Sequence, residues 1–143
     1  MANLADVFEI GVPASHAYLN VVSACIAAVI ERVGDLEEPE IVSYNVQLGV
    51  NEIVANIVDH AYGGAALEHQ RVDMVMTLCR QPRSLVIELH DSGRSFDPDL
   101  IPTPNLDEAQ IHGYGLFLVQ QLFDSVDYHP QPGGNSWRLV KHL

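Results

Sequence analysis

Basic residues are scarce in this 143-residue chain, since seven Lys plus Arg stand against 19 Asp plus Glu and give a formal net charge of −12. The seven are scattered and form no cluster. Phosphate backbones and anionic lipid surfaces are bound by clustered Lys and Arg. The composition therefore argues against a protein that binds nucleic acid or a membrane surface, and we expect neither as a partner.

The chain also lacks the features of an exported, zinc-binding or membrane-spanning protein. Its two cysteines, Cys25 and Cys79, form no CxxC pair, and no histidines have zinc-ligand spacing. Such cysteines are typical of a reducing compartment. The N-terminus has no basic segment followed by an apolar one, and the most apolar stretch, 21–30, is too short to cross a bilayer. We expect a cytoplasmic protein.

The length, with 48% hydrophobic and 18% charged residues, predicts one globular domain over residues 1–143. Periodicity predicts strands at 6–12, 72–79, 85–90, 125–129 and 136–141, and helices at 15–33, 38–62 and about 115–124. In the last helix, the spacing predicts core positions for Phe117, Val119, Leu122 and Phe123. Helices segregated from hairpin-linked strands predict an α+β two-layer sandwich. The long segment 91–112 is predicted to be a functional loop.

The first candidate site lies in the second predicted helix. Its apolar residues follow the i, i+4, i+7, i+8 spacing of a buried stripe: Val46, Val50, Ile53, Val54, Ile57 and Ala61. Glu52 and Asn56 are four residues apart and lie on one helix face beside that stripe. They can supply one base and one metal ligand, which suits Mg²⁺ bound together with phosphate oxygens. The alternative is two solvent-facing polar residues, the more frequent case for so short a motif.

The second candidate site is Asp91-Ser92-Gly93-Arg94-Ser95-Phe96-Asp97, directly after an apolar strand. An Asp at the end of a buried strand can accept a hydrogen bond from an exocyclic amine. Gly93 lets the backbone approach a flat ligand closely. The alternative is a plain turn that is capped by Asp91.

The third candidate site is Gly113-Tyr114-Gly115-Leu116, at the start of the last predicted helix. Glycines there expose free N–H groups, and the helix dipole adds attraction for phosphate. The alternative is that two glycines merely permit a sharp turn from loop to helix. The chain has no GxxxxGKS/T loop and no glycine-rich loop with the HRD and DFG motifs. Any phosphate binding therefore uses another scaffold.

Taken together and in this order, the three motifs resemble the GHKL (Bergerat) ATP-binding superfamily, and in particular its anti-sigma factor serine/threonine kinases of RsbW and SpoIIAB type. The stretches that carry the resemblance are 51–62, 91–98, 113–119 and 133–135, and it covers residues 7–141. It implies the Bergerat form of the α+β sandwich, with a mixed, mostly antiparallel sheet and helices on one face. It also implies ATP and Mg²⁺ as cofactors.

The resemblance implies a role for each matching residue. Glu52 matches the general base that takes the proton from an attacking hydroxyl, and Asn56 matches the Mg²⁺ ligand. Asp91 matches the residue that bonds the adenine amine, and Gly93 lies against the base. The residues matched to ATP binding are Asn56, Asp59, His60, Asp91, Gly93, Phe96, Gly113, Tyr114, Gly115 and Leu116. Residues 97–112 match a lid that closes over ATP.

Two positions depart from the family pattern. Ser95 stands where many members have a second glycine, and Tyr114 stands where some have a basic residue. Arg94 and His112 flank the lid and are the residues that could supply positive charge instead.

The leading hypothesis is a bacterial ATP-dependent serine/threonine kinase of a partner-switching system. It would phosphorylate an anti-sigma antagonist protein of STAS type and hold a sigma factor or another regulator. The resemblance also suggests that two copies of the chain pair as a homodimer. A second hypothesis is a non-catalytic module in which ATP orders the lid and changes partner affinity. A third is a sandwich domain that binds no nucleotide.

Overall fold

The computed structural model describes residues 5–63, 70–95 and 114–143 of the chain. Its five strands are β1 (Asp6–Pro13), β2 (Arg71–Arg80), β3 (Arg83–Asp91), β4 (Ser125–Gln131) and β5 (Gly134–His142), and its helices are α1 (Leu19–Glu31), α2 (Pro39–Asn56) and α3 (Tyr114–Leu122). The order of elements is the predicted one. Within the described ranges, no helix is long and apolar enough to cross a membrane.

The five strands form one sheet in the order β1-β2-β3-β5-β4, and every neighbouring pair is antiparallel. The expected sheet was mixed and mostly antiparallel, and the absence of a parallel pair among the described strands has a simple cause. Strand β4 runs in the same direction as β3, but the β4–β5 hairpin inserts β5 between them, so the two parallel strands never pair. The predicted α+β sandwich is confirmed.

One face of the sheet carries the core. In β2, Val72, Met74 and Met76 are buried and alternate with exposed or half-buried residues, as a strand with one covered face requires. In β3, Leu85, Ile87 and Leu89 continue the same buried face. The three helices pack on this side, and their apolar residues join those of the sheet in one core.

Helix α2 is the central helix of the covering layer, because it packs against α1 on one side and α3 on the other. The predicted stripe is buried along it, from Val46 to Ile57. Gly49 lets α3 approach, since a Cβ at this position would collide with the ring of Phe123.

The core expectation for α3 is correct for three of its residues and wrong for Phe117. Val119 and Phe123 are buried and Leu122 packs against the core, whereas 41% of Phe117 is exposed. The buried stripe is Leu116, Val119 and Phe123, at i, i+3 and i+7, and Phe117 lies about 100° around the helix from Leu116.

The end of α2 also differs from the prediction of a regular helix to Tyr62. The α-helix ends at Asn56, and residues Ile57–Ala61 form a widened π-helical turn. In such a turn the hydrogen bond runs from residue i to i+5 rather than i+4, as from Tyr62 N–H to the carbonyl of Ile57. The residue that returns to the face of Asn56 is therefore Ala61, not His60.

The contact between Gly49 and Phe123 predicts that Gly49→Ala destabilises the fold. Alanine favours a helix by up to about 1 kcal/mol over glycine, but overpacking a core contact costs about 1–3 kcal/mol. We expect a net loss of about 1–2 kcal/mol in the free energy of unfolding, measured by urea denaturation. Gly34→Ala is the control, because a Cβ there meets nothing within 4 Å. Equal stability of both variants would contradict this account of the helix contact.

Candidate nucleotide site

Glu52 and Asn56 lie on one side of the last turns of α2, and both are half-buried. The carboxylate of Glu52 lies against the start of α3, where a Cβ on Gly115 would come within 2.5 Å of its Oε2 atom. The missing side chain at Gly115 is therefore what allows α3 to begin this close to Glu52. The first and third candidate sites of the sequence are in contact.

The second candidate site is a turn that docks on the widened end of α2. The N–H of Gly93 donates to Asp91 Oδ1 at 2.9 Å. The N–H of Arg94 donates to the carbonyl of Ala61 at 2.9 Å, and its guanidinium Nε donates to the carbonyl of His60 at 2.7 Å. A Cβ on Gly93 would lie 2.5 Å from the Ala61 carbonyl oxygen. Glycine is thus required for this close approach.

A buried tyrosine holds the same turn from the other side. Tyr62 Oη donates to the carbonyl of Arg71 at 2.8 Å and accepts a hydrogen bond from the N–H of Ser92 at 2.8 Å. Buried backbone groups need partners of this kind. The turn after β3 is therefore fixed in place by side chain and backbone together.

Asn56 and Asp91 share one hollow. Its lining residues come from the end of α2, the end of β3 and the β4–β5 hairpin: Asn56, Ile57, Ala61, Asp91, Tyr128, Asn135 and Trp137. A second, wider hollow lies on the outer side of the turn, where Tyr62, Gln70, Gly93 and Arg94 are among its lining residues, and it contains none of the predicted acids. The predicted residues Asn56 and Asp91 therefore border the narrower of the two hollows.

Asp91 presents one oxygen that is bonded and one that is not. Oδ1 accepts from Gly93 and from the carboxamide of Asn135, both at 2.9 Å. Oδ2 is buried and accepts no hydrogen bond from any described residue. Burial raises the pKa of Asp91, while the hydrogen bonds from Asn135 and Gly93 and the nearby His90 oppose that rise. A buried acceptor without a donor needs one, and an exocyclic amine would supply it.

Two aromatic rings form a wall beside this carboxylate. The centroids of Tyr128 and Trp137 are 4.6 Å apart and their planes are tilted by 45°. The two residues face each other across the β4–β5 ladder, and Trp137 is almost fully buried. Apolar walls around a few polar groups are typical of small-molecule sites.

Not every predicted residue lies at the hollow. Asp59 bonds to Nε2 of His16 at 2.8 Å, and His60 is exposed. Neither lines the hollow, because the π turn brings Ala61 to the face of Asn56. Leu116 packs against the core.

Other predicted positions fall beyond the part of the chain that the structure describes. Phe96, Gly113 and the predicted lid, 97–112, lie outside the described residues, as does the side chain of Tyr114. The roles assigned to all the site residues remain predictions.

The donor set suits Mg²⁺ only in company with phosphate. Asn56 offers one carboxamide oxygen at the rim of the hollow, and the described residues contain no group of three acids, histidines or cysteines that could hold a metal. Magnesium typically takes one or two protein oxygens and completes its shell with phosphates and water. The residues present therefore fit a metal that arrives with a nucleotide.

Comparison with known proteins shows the family to which the chain belongs. A family model described as "Histidine kinase-like ATPase domain" matches residues 12–141. The chain belongs to this family. It is 32% identical over 142 residues to the serine-protein kinase RsbW of Bacillus pumilus, covering 93% of this chain and 84% of that protein. It is 29% identical over 146 residues to RsbW of Staphylococcus aureus, covering 93% and 85%.

Solved structures agree on the fold. The RsbU and RsbW domains of a Mycobacterium tuberculosis protein superpose with a TM-score of 0.68 at 16% identity, over 96% of this chain and 32% of that one. A histidine kinase domain from Erythrobacter litoralis superposes with a TM-score of 0.58 at 18% identity, and the match covers 92% of this chain and 62% of that one. The predicted GHKL membership is confirmed. The chain falls among relatives named serine-protein or serine/threonine-protein kinases, so the prediction of a protein serine/threonine kinase is confirmed for its family.

The sequence analysis missed part of the hollow. Asn135 entered only as part of a resembling stretch, and neither Tyr128 nor Ala61 was assigned to the site. The alternation of β4 and β5 could have shown that Tyr128 and Trp137 are cross-strand neighbours only if the hairpin register had been known. Nothing in the sequence indicated the π turn.

The raised pKa of Asp91 predicts the pH dependence of Asp91→Asn. A raised pKa means that the native state holds this proton more tightly than the unfolded chain does. The stability contributed by this group is therefore lost as pH rises from about the ordinary value of 3.8 through the raised pKa. The variant lacks this loss, so its free energy of unfolding should gain on that of the wild type over this window. Urea denaturation between pH 4 and 7 measures the difference, and a change of opposite sign would contradict the burial of the carboxylate.

Proposed function

We propose that the hollow binds the adenine of ATP and that the protein transfers the γ-phosphate to a serine or threonine of a partner protein. The observation that supports this most is the buried Asp91 Oδ2, which accepts no hydrogen bond from any described residue and shares its hollow with Asn56. An amino group on a flat ring would satisfy that oxygen. The aromatic wall of Tyr128 and Trp137 gives the ring an apolar surface.

In this proposal each predicted residue acts at a stated place. Asp91 Oδ2 accepts from the adenine amine, and Gly93 lets the backbone lie against the base. Asn56 would hold Mg²⁺, which would neutralise charge on the phosphates. Gly113, Tyr114, Gly115 and Leu116 give N–H groups at the start of α3 to the phosphates. Residues 97–112, with Phe96 at their start, close over the nucleotide.

Transfer then needs one base. The hydroxyl oxygen of the acceptor serine or threonine attacks the γ-phosphorus, the bond from that phosphorus to the bridging oxygen of ADP breaks, and Glu52 takes the hydroxyl proton. The carboxylate lies beside the start of α3, where the phosphates are proposed to sit. Positioning and charge stabilisation supply most of the catalysis in such reactions.

The proposed partner is an anti-sigma antagonist of STAS type, with a sigma factor or another regulator as the protein that is held and released. The support is the similarity to proteins named RsbW over most of the chain. Because ATP is the donor, we place the activity in the bacterial cytoplasm. We also propose that two copies of the chain can pair as a homodimer.

A non-catalytic, nucleotide-responsive module is the second candidate. One observation favours it: the guanidinium Nε of Arg94, the cation nearest the turn among the described residues, donates to the carbonyl of His60. A kinase needs positive charge on the transferred phosphate. In the module, ATP would change only the affinity for a partner.

Glu52→Gln distinguishes the two candidates. It keeps the shape of the side chain against Gly115 but removes the base, so the rate of phosphate transfer should fall by roughly 10²- to 10⁴-fold while ATP affinity changes little. Transfer from labelled Mg-ATP to a purified STAS-domain protein measures the rate, and calorimetry measures the affinity. Glu37→Gln, at an exposed site before α2, is the matched control. Partner regulation that survives in Glu52→Gln would favour the module.

Asn56→Ala tests nucleotide binding itself. Bound Mg-ATP should raise the melting temperature of the wild type by mass action, and loss of the metal ligand should remove most of that rise. The melting temperature without nucleotide is the reference for each protein. A wild-type melting temperature that does not respond to Mg-ATP would leave only the sandwich domain that binds no nucleotide.

A further inference from the structure

Asn135 is a buried carboxamide to which the mechanism above gives no task. It lies near the start of β5, directly opposite Asp91 on β3, and is 3% exposed. Its Nδ2 is within hydrogen-bond distance of three acceptors: Asp91 Oδ1 at 2.9 Å, the carbonyl of Arg94 at 3.0 Å and the carbonyl of Gly93 at 3.3 Å. Its Oδ1 accepts from Tyr128 Oη. Every polar atom of this side chain is therefore used.

These contacts fix which way the carboxamide faces. If the amide were reversed, its oxygen would face the carboxylate of Asp91 and two carbonyls, and no donor would lie between these acceptors. With the oxygen toward Tyr128, each hydrogen bond has one donor and one acceptor. The three acceptors therefore fix the orientation of the amide, and the tyrosine hydroxyl, which can donate or accept, donates to the amide oxygen that remains.

The same contacts determine what Asp91 offers to a ligand. Asn135 and the N–H of Gly93 both bind Oδ1, so the hydrogen bonds that stabilise the ionised form all fall on one oxygen. Oδ2 is left as a fixed, buried acceptor. A purine with an amine at C6 can donate a hydrogen bond to Oδ2. A 6-oxo purine instead places its carbonyl oxygen, a second acceptor, against Oδ2. A site built to bond one group rejects the analogue that lacks it.

We propose that Asn135, held by Tyr128, is the positioning residue that makes Asp91 select a 6-amino over a 6-oxo purine nucleotide. This inference rests on the proposed function, since it assigns the base selectivity of that site. Asn135 also binds the two carbonyls of the turn, so the acceptor and the backbone behind it are positioned by one side chain.

The test compares ATP with inosine triphosphate, which differs at C6. Asn135→Asp keeps the acceptor for Tyr128 but removes both N–H donors and sets a second carboxylate beside Asp91. A hydrogen bond to a charged group of this kind corresponds to roughly 10- to 100-fold in affinity. Calorimetry with Mg²⁺ should show that the variant loses at least tenfold in ATP affinity and much less in inosine triphosphate affinity. The ratio of the two affinities falls toward one.

A pH series adds a readout that a folding defect would not mimic. Two adjacent carboxyl groups share a proton as pH falls, and the shared proton restores a donor toward Asp91. The deficit in ATP affinity of Asn135→Asp relative to wild type should therefore shrink between pH 8 and pH 5.5. The wild type is measured at each pH, because other titratable or charged residues lie around the turn. Among the described residues these include His90 beside Asp91 on β3, together with His60, Tyr62, Arg71, Arg94 and Tyr128.

Two further variants keep the test decisive. Tyr128→Phe removes only the hydroxyl and should lower the affinity ratio by a smaller factor, and it carries the test if Asn135→Asp does not fold. Asn20→Asp, at an exposed position of α1, controls for the added charge. If the wild type binds neither nucleotide, the proposed function fails. If the wild type prefers ATP and both hollow variants keep that preference, or lose the two nucleotides equally, only the role of Asn135 is overturned.

Discussion

The burial of one carboxylate organises this end of the molecule. Asp91 is half-buried at the end of β3 with its Oδ2 atom fully buried, and a buried charge needs hydrogen bonds in place of the water it has lost. One of its oxygens receives them from Gly93 and Asn135, and the other receives none from the described residues. The elements around Asp91 enclose these two oxygens. The β4–β5 hairpin supplies the donor and the aromatic wall, and α2 supplies the opposite side of the hollow.

The widened turn after Asn56 is the second element of that arrangement. A regular helix uses each interior carbonyl for its own hydrogen bonds and leaves only those of its last turn free. Here the carbonyls of His60 and Ala61 accept from Arg94, so the end of α2 and the turn after β3 stabilise each other. A π turn within a helix frequently marks a functional site. In this protein it brings Ala61 beside Asn56 and against Gly93, where a Cβ on residue 93 would collide with Ala61.

Sequence patterns predicted the elements and the polar residues at their ends, but not the walls of the site. Period-2 and period-3.6 patterns are local, so β2, β3 and the stripe of α2 could be read directly. The order of motifs placed Asn56 and Asp91 in one site, and they do share a hollow. Tyr128, Trp137 and Asn135 reach it through sheet order and register, which join residues 44 positions apart and are not encoded locally. A regular helix would place His60 one turn after Asn56 on the same face. The π turn moves it off that face, because a single change in hydrogen-bond spacing rotates every residue after it.

The position of β5 between β3 and β4 has a consequence for how the protein comes into being. The helices and the first three strands precede the last hairpin along the chain, so a ribosome releases Asp91 well before Asn135. Until that hairpin pairs with the free edge of β3, the nascent polypeptide has an acid at the end of β3 with no amide to orient it. The hydrogen bond from Asn135 to Asp91 can therefore form only after the last strand has been synthesised.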